Sequence, residues 1–253
     1  MRTIRKLPQP VLLTQWRAPR MLDNRPPAMD CTYDELRRAP NVLRRVEDGL
    51  FAEQGGICAY TGHGISIKQK RHGQREVNFH IEHLTPQDFC KEVLGTYGKD
   101  ADYSNIVACW PRPNCGFDPD YGAVNKKNWP NPNEAALFVS PLRPDCSARF
   151  RFNHRGEIDP ARPNDGAAEA TITNLGLRHD TLKELRKYAI RGALSPKGRQ
   201  IKLSAARSLL HRMQQANQSL NQGRRATLMP FCFAIEPALR REIRKLEGIM
   251  GQH

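Results

Sequence analysis

The chain has 253 residues, with 40 Lys and Arg against 26 Asp and Glu, a formal net charge of +14 and an isoelectric point near 9.8. That length allows one large domain or two modest ones, and the charge favours polyanionic partners while saying nothing about fold. No run approaches the ~18 apolar residues of a membrane span, the apolar stretch Val11 to Leu13 falls short of a signal-peptide core, and seven cysteines without a dense even pattern argue against a secreted disulfide scaffold and for a reducing, cytoplasmic setting.

The first 30 residues, punctuated by Pro8, Pro10, Pro19, Pro26 and Pro27, read as an extended N-terminal arm packed on the body or on a partner. Thr32 followed by Glu35 fits a capping box, and after Pro40 the positions Val42, Leu43, Val46, Leu50 and Phe51 recur at helical spacing until Gly55 and Gly56. From Ile57 the pattern changes to short strand-like pieces, "ICAY", "ISI" and "VNFHI". A Pro, Asn and Gly-rich stretch then runs from about 110 to 133, too long for a simple connector. "ARFRFNHRGEI", 148–158, alternates about Arg155 and Gly156 and predicts a hairpin. Beyond Asn174 the chain reads as helical, with Asp180 and Ser204 as caps of two helices, the second ending at Gly223, and Pro237 as the start of a third. The local charge is +4 over residues 1–50, −1 over 51–177 and +11 over 178–253, so the basic excess sits in the last segment. That segment suits a nucleic acid or an acidic partner, although solvated helices also carry such charge.

"NFHIEHLTP", 78–86, sets His80, Glu82 and His83 close together before Pro86. Short His and Glu clusters are often plain surface, but this one has neighbours: Cys58 and Tyr60 in "CAYTG", Asn105 and Cys109 in "DYSNIVAC", Cys115 in "NCG", and Asn125, Lys126 and Lys127 in "NKKNW". His80 shares strand parity with Glu82 and is open to three roles: a group behind a ligand, an extra ligand, or an ordinary strand residue. No Walker motif, dinucleotide loop or Ser/His/Asp elbow is present.

On "GICAY", "HIEHLTP", "DYSNIVAC", "RFNHRGEIDP" and "ATITNLGLRHDTLKELR" the chain resembles the HNH nucleases over roughly residues 40–190, and more narrowly the PtuB-type HNH endonuclease subunits of the Septu and retron-associated anti-phage defence systems. The resemblance implies an α+β fold: an HNH (ββα-metal) nuclease core with preceding helices and a C-terminal helical region. The corresponding division is an arm over 1–30, an HNH domain over 31–177 and a basic helical region over 178–253. It implies a hydrolase that cuts phosphodiester bonds with one Mg²⁺ or Mn²⁺ ion. His83 would be the general base, Glu82 a metal ligand where Asp is commoner, and Asn105 the brace of the loop bearing the base. A turn Asn is the plain reading of Asn105.

The pattern departs at the last ligand, for which Asn125 is the choice and Asp118 the runner-up. Many HNH proteins also hold a structural zinc. Here Thr61 stands where the second cysteine of the first pair would be, so Cys58, His63, Cys109 and Cys115 form a possible Cys₃His set, and a zinc-free knuckle is the alternative. Cys31, Cys90, Cys146 and Cys232 read as buried or incidental thiols. The implied partners are a nucleic acid substrate, DNA or RNA, a PtuA-type ATPase that restrains the nuclease, and a retron reverse transcriptase with its RNA and DNA. Arg240, Arg241, Arg244 and Lys245 would contact nucleic acid or partner. Two other readings stand beside this one: a non-enzymatic zinc-stabilised nucleic-acid-binding or scaffold protein, and a standalone HNH restriction-type endonuclease.

Overall fold

The computed structural model describes residues 1–21, 31–71, 74–92, 98–113 and 115–250. Helices and small sheets are mixed, and the sheets among the described residues are three antiparallel strand pairs. The proline-rich start is not wholly extended. Val11–Met21 forms a helix, α1, whose first amides, those of Leu13 and Thr14, donate to the Pro10 carbonyl. Leu13 and Trp16 are buried while Val11 and Leu12 are exposed, so its apolar stripe is too narrow to register as periodic. Residues 22–30 of the expected arm lie outside the described residues.

Before α1 the chain is tied to the body by buried polar groups. Lys6 Nζ lies 2.7 Å from Glu53 Oε1, and Glu53 Oε2 accepts from the Leu7 amide and the Tyr103 hydroxyl, both at 3.0 Å. Burial pushes the Glu53 carboxyl above its usual value, against the pull of Lys6 and the other donors.

Thr32 caps α2 (Tyr33–Arg37) by accepting from the Glu35 amide. The Glu35 carboxylate bonds Arg38. Helix α3 (Pro40–Gln54) opens on a proline, buries Val46 and Leu50, and stops at Gly55, whose φ of +65° is the left-handed conformation that glycine adopts without a Cβ clash. Each of those two side chains contributes about 1.5–3 kcal/mol by burial.

The strands follow: β1 (Ile67–Gln69) with β2 (Arg75–Val77), and β3 (His80–His83) with β4 (Ile106–Cys109). "ICAY" is not a strand; it is closed by a single bridge between Ile57 and Gly64. The outer edge of β4 is satisfied by the buried Gln54 side chain, which accepts from the Ala108 amide at 2.7 Å and donates to the Ala108 carbonyl at 2.8 Å, and by the Ala59 amide of "ICAY", which donates to the same carbonyl at 3.2 Å. A two-stranded sheet is marginal alone, and the end of α3 supplies what a third strand would. Helix α4 (Gln87–Glu92) follows the bend after β3, and the long irregular stretch includes a short helix, α5 (Ala123–Lys126).

The expected hairpin forms between β5 (Phe150–Phe152) and β6 (Ile158–Pro160), turning through Asn153 and Gly156. Helix α6 (Gly166–Asn174), capped by Asp165, was not legible, because its buried face of Ala168, Thr171 and Ile172 gives little apolar contrast. Helix α7 (Asp180–Leu194) is capped by His179 Nδ1, which accepts from the Thr181 amide, so Asp180 is its first residue and not its cap. Ser204 likewise sits in the first turn of α8 (Leu203–Asn221), which has no side-chain cap. Helix α9 (Cys232–Met250) starts five residues before Pro237; its stripe of Ile235, Ala238, Leu239 and Ile243 packs inward and carries the helix through the proline.

Arg186 of α7, 1% exposed, donates to the carbonyls of Gly156 at 2.6 Å and Leu177 at 2.8 Å, locking the helix to the hairpin turn. The buried apolar residues join in one cluster from Met1 to Ile243, so the basic C-terminal helices share their core with the rest of the chain. No helix among the described residues is long and apolar enough to cross a membrane.

Candidate active site on the β3–β4 hairpin

Burial alternates along β3, so Ile81 and His83 face the core while His80 and Glu82 face the opposite side. Glu82 stands opposite Val107 and His83 opposite Ile106. The strand ends at His83 and the chain bends through Leu84 to Pro86, while Glu82 and His83 themselves lie on opposite faces of β3. Asn105, 4% exposed, holds that bend. Its Oδ1 accepts from the Thr85 amide at 2.8 Å, and its Nδ2 donates to the carbonyls of Thr85 and Lys99, both at 3.1 Å. Its backbone carbonyl also accepts from the Leu84 amide. Asn105 is thus a brace from both its side chain and its main chain.

Lys126 is the residue whose role the sequence concealed. Its ammonium, on a side chain 1% exposed, lies 2.9 Å from Glu82 Oε1 and donates to the His83 carbonyl at 2.8 Å. The other carboxylate oxygen, Oε2, lies 3.8 Å from His80 Nε2. Burial pushes the Glu82 carboxyl up, yet His80 and Lys126 together outweigh it and hold the group below its usual value. The carboxylate is therefore charged at neutral pH. "NKKNW" contained the signal, a lysine beside the expected ligand, but no spacing rule distinguishes a buried lysine from an exposed one.

His83 is buried, with its ring edge against Tyr33 at a centroid distance of 4.7 Å. Its Nε2 is 2.9 Å from the Asp100 carbonyl. A carbonyl only accepts, so in the neutral ring the proton is on Nε2 and the lone pair on Nδ1. Burial lowers its proton affinity, against the opposing pull of Glu82, and so favours the neutral form that a general base requires.

Asn125, the expected last ligand, donates its Nδ2 to the Asn174 carbonyl at 2.9 Å, bracing the end of α6. Lys126, the next residue on α5, reaches the carboxylate in its place. Asp118, the runner-up, is exposed and lines a cleft of about 440 Å³ with His80, Arg112 and Phe117.

The four zinc candidates are not brought together. Cys58 and Cys109 are buried and hydrogen-bonded: burial pushes the Cys58 thiol up, but bonds from Cys109 and Thr61 prevail and bring it down to about 6. Cys115 is exposed, with its thiol on the Phe117 carbonyl, and His63 Nδ1 is 3.0 Å from the Thr61 hydroxyl. Thr61 thus takes the place of the missing cysteine, and the His63 ring stacks on Trp110 at 4.1 Å, with Tyr121 beyond. Aromatic packing of His63, Trp110 and Tyr121 closes this region. Among the described residues no three His, Cys, Asp or Glu side chains gather as a metal-holding group. Cys31, Cys90, Cys146 and Cys232 are buried thiols as expected.

The stack has a consequence in acid. Burial, with the Arg186 charge behind it, lowers the His63 pKa from 6.5 to about 4. Unfolding restores the ordinary value, so between those limits the unfolded chain binds more protons, and stability falls as pH drops from about 6.5 towards 4. His63→Phe keeps the stack and removes the titration. Thermal melts should therefore decline less steeply over that window in the variant; an unchanged decline refutes this assignment.

On α9 the apolar face is inward, and Arg240, Arg241, Arg244 and Lys245 lie on the exposed side, Arg240 paired with Glu236 at 2.7 Å. No protein-family model matches the chain, and no curated protein matches its sequence.

Proposed function

We propose that the chain is a metal-dependent HNH-type endonuclease that hydrolyses nucleic-acid phosphodiester bonds. The observation that carries this reading is Glu82 and His83 on consecutive positions at the end of β3, with Asn105 holding the bend that follows them. The β3–β4 pair with α5 laid against it through Lys126 supports an HNH core.

Glu82 fits as a carboxylate donor to a divalent cation, since Lys126 takes Oε1 and leaves Oε2 on the side of His80. The Tyr60 hydroxyl, buried without a hydrogen-bond partner among the described residues and within range of the Glu82 charge, marks the same neighbourhood as incompletely satisfied. Glu82 would hold the cation, which when bound would supply charge compensation to the phosphate and to the departing oxygen. His83 Nδ1 takes the proton of the attacking water, and the Asp100 carbonyl fixes the tautomer that leaves this lone pair available. Lys126 holds Glu82 and the His83 backbone together, so both functional residues keep one geometry. Arg112, exposed on the cleft beside His80, is placed to meet a phosphate.

In this proposal the nuclease is the toxic effector of an anti-phage assembly, restrained by an ATPase partner and joined to a retron, and the exposed basic side of α9 grips nucleic acid or partner. The test is a panel of labelled single- and double-stranded DNA and RNA incubated in EDTA, Mg²⁺ or Mn²⁺. Cleavage only with metal is expected. The basic face of α9 also suits a second reading, a binding protein without catalysis. Salt-sensitive binding, with no cleavage of any substrate in either metal, decides for that reading.

A further inference from the structure

We propose that His80 Nε2 and Glu82 Oε2 together form the cation site, and that the site takes a transition-metal ion such as Mn²⁺ in preference to Mg²⁺. The inference rests on the nuclease reading for why a cation is needed there, but its geometry is independent of that reading.

Parity puts His80 and Glu82 on the same face of β3. His80 Nδ1 lies 2.6 Å from the Pro111 carbonyl. The carbonyl accepts only, so Nδ1 carries a proton, and a neutral ring presents the Nε2 lone pair to Glu82. This is the arrangement in which a ligating histidine is oriented by a backbone carbonyl behind it.

With the ring neutral, two acceptors, Nε2 and Oε2, face one another at 3.8 Å, too far for a hydrogen bond. With bonds of about 2.0–2.2 Å to nitrogen or oxygen, two ligands of one ion can stand up to about 4 Å apart. Lys126 removes Oε1 from the competition, so a single carboxylate oxygen is left on the His80 side. His80 lines the cleft shared by Arg112 and Asp118, which provides an entry path to its side of the pair. One imidazole and one carboxylate is a donor set suited to Mn²⁺ and its neighbours, whereas Mg²⁺ favours oxygen alone. The competing arrangement is a protonated imidazole paired with the carboxylate, with no affinity for metal; burial opposes it, but Glu82 and the Pro111 carbonyl outweigh burial and raise the His80 pKa, so in the absence of a cation the protonated pair is favoured.

Titration of the purified full chain with Mn²⁺, followed by the electron paramagnetic resonance of the free ion, separates the two. Wild type should bind one Mn²⁺, and His80→Gln should weaken binding at least tenfold, the scale for losing such a partner. Asn125→Ala should stay within threefold of wild type, and Mg²⁺ should displace Mn²⁺ only in at least tenfold excess. Unchanged Mn²⁺ affinity in His80→Gln, or no binding by folded wild type, overturns the proposal. Circular dichroism checks that the variant is folded. If it is not, Mn²⁺ broadening of the His80 ring resonances in wild type replaces it, and their persistence unbroadened refutes the site. Mn²⁺ binding through His80 without cleavage of any nucleic acid removes the nuclease reading and leaves the site. Metal-dependent cleavage with undiminished Mn²⁺ binding in His80→Gln removes the site and leaves the nuclease.

Discussion

Replacing Lys126 with methionine is expected to destabilise the fold by about 3–5 kcal/mol, the range for removing one partner of a buried ion pair. The ammonium lies 2.9 Å from Glu82 Oε1 and 2.8 Å from the His83 carbonyl. Methionine matches the stem of lysine and fills its volume, so little of the loss comes from packing. What remains is a carboxylate without its nearest positive charge, beside a carbonyl without its donor. The Glu82 side chain is 15% exposed, which lets some water reach it and puts the effect towards the lower end. The reverse test is sharper: Glu82→Gln combined with Lys126→Met removes the orphaned charge and should recover a large part of the loss, because residues in contact are not additive. Denaturant titrations measure both. A single-variant loss under about 1 kcal/mol, or a double variant no more stable than Lys126→Met, contradicts the ion pair as the link between α5 and β3.

Asn105→Ala should lose about 2–4 kcal/mol, because it strips a donor from two carbonyls and leaves the Thr85 amide unpaired in a buried turn. The variant keeps the backbone bond from Leu84, so the turn should loosen without the strand unpairing. Asn105→Asp separates bracing from mere polarity: it can still accept from Thr85, but it sets a carboxylate against two carbonyl oxygens. It should not rescue stability at neutral pH. Amide exchange at Thr85 should quicken in both variants; slow exchange there, as in the wild type, places the brace elsewhere.

Much of this arrangement was legible from residue patterns. Gly55 as the stop of α3, the Asn153–Gly156 hairpin turn, the strand at His80 to His83 and the bend before Pro86 each follow from a local rule that tertiary contacts reinforce. Helix α1 was hidden because only Leu13 and Trp16 face inward, and α6 because small residues line its buried side. Pro237 suggested a helix start, yet α9 already runs from Cys232, held by an apolar stripe that outweighs one missing amide. At the site, Glu82 and His83 at the end of β3 and Asn105 at the bend after them follow from strand parity and a turn, which are short-range properties. The partner of Glu82 was not legible. Lys126 and Asn125 are neighbours, and which of them points at β3 depends on how α5 is seated by α6 and the Asn174 carbonyl. Likewise the contact of His63 with the Thr61 hydroxyl and its aromatic stack on Trp110 are displayed only by the folded chain.

If the β3–β4 pair cuts phosphodiester bonds with His83 as base, as proposed, the most direct measurement is the single-turnover cleavage rate of wild type against His83→Ala in Mn²⁺, with folding matched by circular dichroism. A loss of about 10²–10⁴-fold, the contribution of a positioned general base, is the expected result. Cleavage by the folded variant within threefold of wild type contradicts the assignment.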